Sequence, residues 1–319
     1  MKKKLIAASV AAGFIIFIFV LLANINTFVL VYKMHYLYLL PFLFFALLIM
    51  AVHVFRWQII LLAHNKSIGF RKLFLYKLAG FSISYFTPSA HIGGEPVRAW
   101  LLKQNHIKYS HGLSTILIDK FIEVGIYVLV GFVGFIFMIV EFTIPNDTIF
   151  LFALIFVVLG IFIFYKRMTE RKPVLSYLFR ISGQKKIVRM RKTIEKSEEM
   201  ISIFFNRKKR ILLASLFLTL ITYVLMFFEF HFLLLVLGLE PGIPVIFLIT
   251  SLVAISFIIP VPAGLGVLEA FQASLFALLG FGASFGVGLS LIIRVKDVLV
   301  SLLGLGYLTG KGIKALGLR

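Results

Sequence analysis

Glu95 and Arg98 lie three residues apart, immediately after Gly93-Gly94. On a helix that spacing puts a carboxylate and a guanidinium on one face, where they can pair or grip two ends of a polar ligand. Glu269 follows Gly264 and Gly266 in a similar way, and Arg294 stands in a long apolar run. Asp119, Lys120 and Glu123 form a third charged group inside apolar sequence. Ionisable groups at such positions are expensive and mark binding or ion paths, usually with a partner of opposite charge. The chemistry open to them is recognition of an anion such as phosphate by Arg98 and Arg294. Glu95 and Glu269 could bind a cation, exchange a proton or lock a turn. Simpler roles stand beside these: a local Glu95–Arg98 ion pair, Glu269 as the cap of the helix restarting after Gly266, and Arg294 paired with Asp297 at i,i+3. Arg56 could snorkel from the end of its helix. Glu229 and His231 could anchor at the interface or relay protons.

The elements that carry these groups are broken helices. Ser84 leads through Pro88 to Gly93, Gly94, Glu95 and Arg98; Ser256 leads through Pro260, Pro262, Gly264 and Gly266 to Glu269. Pro removes a backbone donor and Gly weakens a helix, so each break frees polar backbone groups. Hydrocarbon cannot satisfy them, which confines such breaks to the protein interior or a wet cavity. Paired interruptions in two halves of a chain point to a transporter's binding site.

The composition requires a membrane. Of 319 residues 61% are hydrophobic and 36 are Phe, with a mean hydropathy of +1.04. Long apolar runs argue for spanning helices, and the short alternating segments of a membrane barrel are missing. Full-length helices are expected at 5–31, 37–63, 113–140, 148–165, 211–237 and 285–309, with broken segments at 73–100 and 243–279. The first run is too long for the roughly 7–15-residue core of a cleaved signal and reads as a retained helix. Residues 166–210 hold 15 Lys or Arg against 4 Glu. Their apolar stripe (Ile187, Met190, Ile194, Ile201, Phe204, Phe205) suggests an interfacial helix on anionic lipid, or otherwise a solvated cytoplasmic loop.

The basic stretches at the N-terminus, 66–72, 98–108, 166–210 and the C-terminus belong on the cytoplasmic side. The turns at 141–147 and 238–242, with Glu141, Asp147 and Glu240, belong outside. The resulting fold is all-α and polytopic, a single transmembrane domain over 1–319. It has six spanning helices and two re-entrant helical hairpins entering from opposite faces as an inverted repeat. The alternative is seven or eight spans. Both termini are cytoplasmic, in the cell (cytoplasmic) membrane.

Other chemistries find no support. The net charge of +20 follows loop topology, and no nucleic-acid motif accompanies it. There is no Cys, and the seven His show no zinc spacing. Gly264-Leu-Gly266 lacks the rest of a dinucleotide fingerprint, and Gly306 to Lys311 is too short for a phosphate loop. Gly282/Gly286 and Gly306/Gly310 read as helix-packing faces. No cofactor and no metal are expected.

With Pro88, Gly93-Gly94-Glu95 and Arg98, and later Pro260, Pro262, Gly264, Gly266 and Glu269, the chain resembles the flippase-like transmembrane region of the lysylphosphatidylglycerol synthases, the multiple peptide resistance factors. Arg56-Trp57, Asp119, Glu123 and Arg294 also fit, with Lys120 a looser match. The likeness covers nearly the whole chain. It implies translocation of an anionic phospholipid or lipid-linked intermediate. The substrate path would comprise Pro88, Gly93, Gly94, Glu95, Arg98, Asp119, Glu123, Pro260, Pro262, Gly264, Gly266, Glu269 and Arg294. The chain stops soon after its last apolar run, so the synthases' aminoacyl transfer is not expected and no catalytic residue is assigned. Membrane lipids are the expected partners, with a homodimer one compatible assembly. A membrane transferase acting on a polyprenyl-phosphate or phospholipid, with Glu95 or Glu269 as general base, and an ion-coupled carrier of a small solute are the alternatives.

Overall fold

The computed structural model describes residues 32–87, 93–142, 159–160, 162–163, 166, 191–240, 242–256 and 265–312. Nine α-helices and no strand occur among them. After a 3-10 turn at Tyr36–Tyr38 come α1 (Leu39–Ala63), α2 (Phe70–Phe86), α3 (Glu95–Lys103), α4 (Tyr109–Phe142), α5 (Arg191–Arg207), α6 (Lys209–Val236), α7 (Ile243–Ser256), α8 (Val267–Leu278) and α9 (Ala283–Tyr307). The expected helices at 37–63, 113–140, 211–237 and 285–309 are present, and both expected breaks separate shorter helices. Glu141 was placed in a turn, but α4 continues through it to Phe142: apolar sequence carries the helix past a single carboxylate. The run at 5–31, most of 148–165, Pro88, Pro260, Pro262, Gly264 and 167–190 lie outside the described residues.

Side-chain polarity in α6 runs opposite to that of a water-soluble helix. Leu213, Phe217, Leu220, Val224 and Phe228 are exposed, while Ser215, Thr219, Thr222 and Glu229 are buried. The exposed residues recur at helical spacing and form one apolar stripe. A helix in water buries that stripe; a helix solvated by hydrocarbon exposes it and turns polar side chains inward. α1 repeats the pattern with exposed Leu40, Leu43, Phe44 and Leu47 against a fully buried Arg56. The stretches Tyr36–Ala63 and Lys209–Val236 are each 28 residues long and apolar. At 1.5 Å per residue each reaches about 42 Å, enough for a hydrocarbon core of about 30 Å.

The chain divides into two compact units. One draws on Met1–Ile49, Leu78–Gly94 and Val224–Arg319. Here the chain folds back after α2: the Gly94 N–H donates to Ser84 Oγ at 2.8 Å. A Cβ on Gly94 would overlap the Gly80 carbonyl, so only glycine allows this approach. The Ser82 hydroxyl lies 2.9 Å from the Leu78 carbonyl and 2.7 Å from that of Ser301. Beside it, Gly304 of α9 sits directly on Leu78 and Ser82. Gly286 meets the Gln272 backbone in the same way, whereas Gly306 and Gly310 meet nothing within 4 Å among the described residues. The close helix contacts are therefore at Gly286 and Gly304, and the expected Gly306/Gly310 face does no packing among the described residues. Small-residue spacing signals a close approach only where a helix stands opposite.

The second unit draws on Met50–Lys77 and Glu95–Tyr223. Its apolar core joins Ile60 and Ala63 of α1, Ile118 and Ile122 of α4, and Ile201, Phe204 and Phe205 of α5. The stripe of α5 thus packs on neighbouring helices, and its Ser197 hydroxyl reaches the Ser110 carbonyl at 3.1 Å. The 34-residue α4 extends about 51 Å, longer than the hydrocarbon core, and its first turns form the shelf on which α5 docks.

Candidate functional site

Four helices bring charge to one place in the second unit, and a fifth, α6, adds a hydroxyl. Arg56 of α1, with none of its surface exposed, donates from Nε to Asp119 Oδ1 (2.7 Å), from Nη2 to Glu123 Oε2 (2.8 Å) and from Nη1 to Thr219 Oγ1 (2.9 Å). Asp119 and Glu123 are four apart on α4 and share a face; Thr219 comes from α6. Thr219 and Arg56 are internal to their helices, so this network locks α1, α4 and α6 by side chains alone. Arg56 does not snorkel: two carboxylates within hydrogen-bond reach make the buried position cheaper than a stretched route to the interface.

Around this core stand three more cations. Lys77 Nζ of α2 is 3.4 Å from Asp119 Oδ2 and 3.9 Å from Glu123 Oε2. Arg98 Nη2 of α3 is also 3.4 Å from Asp119 Oδ2. Lys120 Nζ is 3.2 Å from Glu123 Oε1. His53 Nδ1 lies 3.5 Å from Glu123 Oε2. The Arg98 guanidinium is stacked 4.0 Å over the Trp57 ring, and Trp57 Nε1 donates to Thr115 Oγ1 at 3.3 Å. The expected Glu95–Arg98 ion pair does not form among the described residues: Arg98 turns to Asp119. Glu95 Oε2 and Arg98 Nε are buried without a hydrogen-bond partner. The cluster sets four cations (Arg56, Lys77, Arg98, Lys120) against Asp119 and Glu123. Positive charge stays in excess even with Glu95 ionised.

The first unit holds a different arrangement. Arg294 of α9 donates from Nε to Glu269 Oε1 (2.9 Å) and from Nη2 to Glu269 Oε2 (3.2 Å), a bidentate grip. The same carboxylate accepts the Gly266 N–H at 2.9 Å. Glu269 is both the cap of α8 and the partner of Arg294, and Gly266 supplies the positive φ (79°) that turns the chain into the helix. The Tyr85 hydroxyl of α2 lies close to Arg294. Asp297 is not the partner of Arg294; it lies 4.0 Å from Lys296. Lys296 pairs with Glu229 of α6 at 2.7 Å, which ties Glu229 into the interior rather than to the interface. Gln272, one turn beyond Glu269 and fully buried, has neither amide atom hydrogen bonded.

Glu95, Arg98, Asp119 and Glu123 therefore belong to one unit, and Glu269 and Arg294 to the other. Gly93 and Gly94 form the turn into α3. Pro88, Pro260, Pro262 and Gly264 fall outside the described residues. Sequence reading passed over Lys77, Thr219, Tyr85 and Gln272, and gave Lys296, beside Arg294, no role. Lys77 and Lys296 carried a usable signal, a charge inside an apolar helix. Thr219, Tyr85 and Gln272 carried none, because uncharged polar residues are common in membrane helices. Among the described residues no group of His, Asp or Glu is arranged to hold a metal.

Comparison with known proteins agrees with a membrane location. The family model of the lysylphosphatidylglycerol synthase TM region matches residues 5–304. A UPF0104 membrane protein of Methanothermobacter thermautotrophicus is 34% identical over 93 residues. That alignment covers 27% of this chain and spans only 28% of the relative's length. No solved structure matches the chain.

Proposed function

This chain belongs to the lysylphosphatidylglycerol synthase transmembrane-region family, and from that membership we propose that it moves an anionic phospholipid or lipid-linked intermediate between membrane leaflets. The observation that carries the reading is buried charge. Helices with hydrocarbon-facing apolar stripes enclose ionic groups at the very segments where the chain breaks. A headgroup crossing the bilayer needs such a polar interior, because hydrocarbon offers it no partner.

In this scheme six helices span, and the α2–α3 and α7–α8 pairs enter from opposite faces without crossing, with both termini cytoplasmic. Arg98 takes the headgroup. Arg294, clamped by Glu269, holds the turn before α8. Alternating access comes from movement of one hairpin against the other. The lipid is moved without covalent change.

The test is fluorescent-lipid transfer in proteoliposomes, read by quenching of the outer leaflet. Wild type should equilibrate the two leaflets. Glu95→Gln with Glu269→Gln should abolish transfer while the protein remains folded. Normal transfer by that folded double variant refutes the assignment. A change in lipid mass during the reaction would favour a transferase instead.

A further inference from the structure

We propose that Lys77, Arg98 and Glu95 form a two-point site for a phosphate group with a neighbouring hydrogen-bond donor. The phosphate sits against Lys77 and Arg98, and the donor against Glu95. The site deepens the lipid-transfer reading, and rests on it only for the source of the phosphate.

Elimination identifies the cations. All three guanidinium nitrogens of Arg56 are engaged at 2.9 Å or less. Lys120 has its own carboxylate oxygen on Glu123. Arg294 is taken by Glu269 through two bonds, and Lys296 by Glu229. Lys77 and Arg98 differ from these. Both approach the same oxygen, Asp119 Oδ2, and both stop at 3.4 Å. A charge-assisted bond between such groups is normally about 2.7–2.9 Å, so neither cation is saturated. Both stand beside helices, α1 and α6, whose exposed stripes are apolar, where water is a poor substitute.

Geometry then selects the ligand. Trp57 covers the face of the Arg98 guanidinium, leaving its N–H edges. One edge reaches Asp119, and Nε is buried with no partner. An N–H edge beside an ammonium fits the oxygens of a tetrahedral phosphate. One turn earlier on α3, Glu95 is 5% exposed and its Oε2 has no donor. A ligand that satisfies Arg98 but leaves Glu95 unpaired would place a second negative charge beside a buried carboxylate. A ligand that also offers a hydroxyl or ammonium satisfies both. The excess positive charge of the cluster points the same way: an anion neutralises it.

Binding to the purified full chain in detergent tests this with four probes. Dihexanoyl phosphatidylglycerol carries phosphate and hydroxyls; dihexanoyl phosphatidylmethanol carries phosphate without a free donor. Dihexanoylglycerol lacks phosphate, and inorganic phosphate lacks acyl chains. Wild type should prefer phosphatidylglycerol. Arg98→Gln and Lys77→Gln should each weaken both phospholipids by ~10- to 100-fold, the value of a charge-assisted hydrogen bond. Glu95→Gln should close the gap between the two phospholipids, weakening phosphatidylglycerol by loss of its donor's partner and strengthening phosphatidylmethanol by relief of the repulsion. Folding is read from melting of the unliganded variants. If Arg98→Gln does not fold, Lys77→Gln and the charge-keeping Arg98→Lys carry the test, with an intermediate loss expected for the latter. Dihexanoylglycerol binding as tightly as phosphatidylglycerol, or folded Lys77→Gln and Arg98→Lys both binding as wild type, overturns the site. A phosphatidylglycerol preference that survives Glu95→Gln overturns the two-point form. Inorganic phosphate binding that needs Lys77 and Arg98, with no phospholipid binding, supports the phosphate contact and removes the lipid-transfer reading.

Discussion

Replacing Arg56 by Met removes the centre of the charged cluster with little change of side-chain volume. The variant loses three hydrogen bonds that connect α1 to α4 and α6, at 2.7, 2.8 and 2.9 Å. Interhelical polar contacts in membrane proteins average ~0.6 kcal/mol each, with a maximum of ~1.7. Three of them set a range of about 2–5 kcal/mol, and removing one partner of a buried ion pair gives a similar ~3–5. Lys77, Arg98 and Lys120 remain near the two carboxylates, which moderates the loss, so about 2–4 kcal/mol is expected. The assay is reversible unfolding in mixed micelles, with a double-mutant cycle against Asp119→Asn. Neutralising both partners should cost less than the two single changes added together, with a coupling of about 1–3 kcal/mol. An Arg56→Met cost below about 1 kcal/mol, or strict additivity in the cycle, would refute the claim that this pair locks the helices.

The second ionic site predicts a graded series. Glu269→Gln removes a bidentate partner and weakens the cap on Gly266, a loss of about 1.5–3 kcal/mol; Arg294→Lys keeps the charge but loses the fork, and should fall between it and wild type. Equal melting of Arg294→Lys and wild type would contradict the bidentate role. Gly94→Ala forces a methyl into the Gly80 carbonyl and should destabilise by ~1–3 kcal/mol or more, while Gly306→Ala, with no neighbour within 4 Å among the described residues, should stay within about 0.5 kcal/mol; thermal melting of the pair decides, and equal effects would undo the packing assignment. Gln272→Met removes two unpaired buried polar atoms and should raise stability by ~1–3 kcal/mol; a lower melting point would mean that the amide has a partner in the working protein.

Much of the helical layout is legible from residue type alone. Long apolar runs form helices wherever the chain is placed, because an unpaired backbone amide has no partner in hydrocarbon. Gly93-Gly94 and Gly264 to Gly266 mark breaks for the converse reason: glycine weakens the helix and permits the turn. Membership of the lysylphosphatidylglycerol synthase family was likewise visible in those motifs. Glu141 shows the limit of local reading, since one carboxylate at the end of an apolar run did not stop α4.

Pairing was decided by tertiary structure. Local spacing offered Glu95 to Arg98 and Arg294 to Asp297, each three residues apart. The fold instead gives Arg98 to Asp119, Arg294 to Glu269, Arg56 to Asp119 and Glu123, and Lys296 to Glu229. The physical reason is that a charge in a low-dielectric bundle takes the partner that packing brings within about 3 Å in good geometry, and sequence separation has no part in that energy. The same packing left Arg98 and Glu95 each with an unsatisfied atom. Sequence alone determined that charged residues sit beside helix breaks in a membrane protein; only the assembled helices decided which charges are spent on one another and which keep an unsatisfied atom.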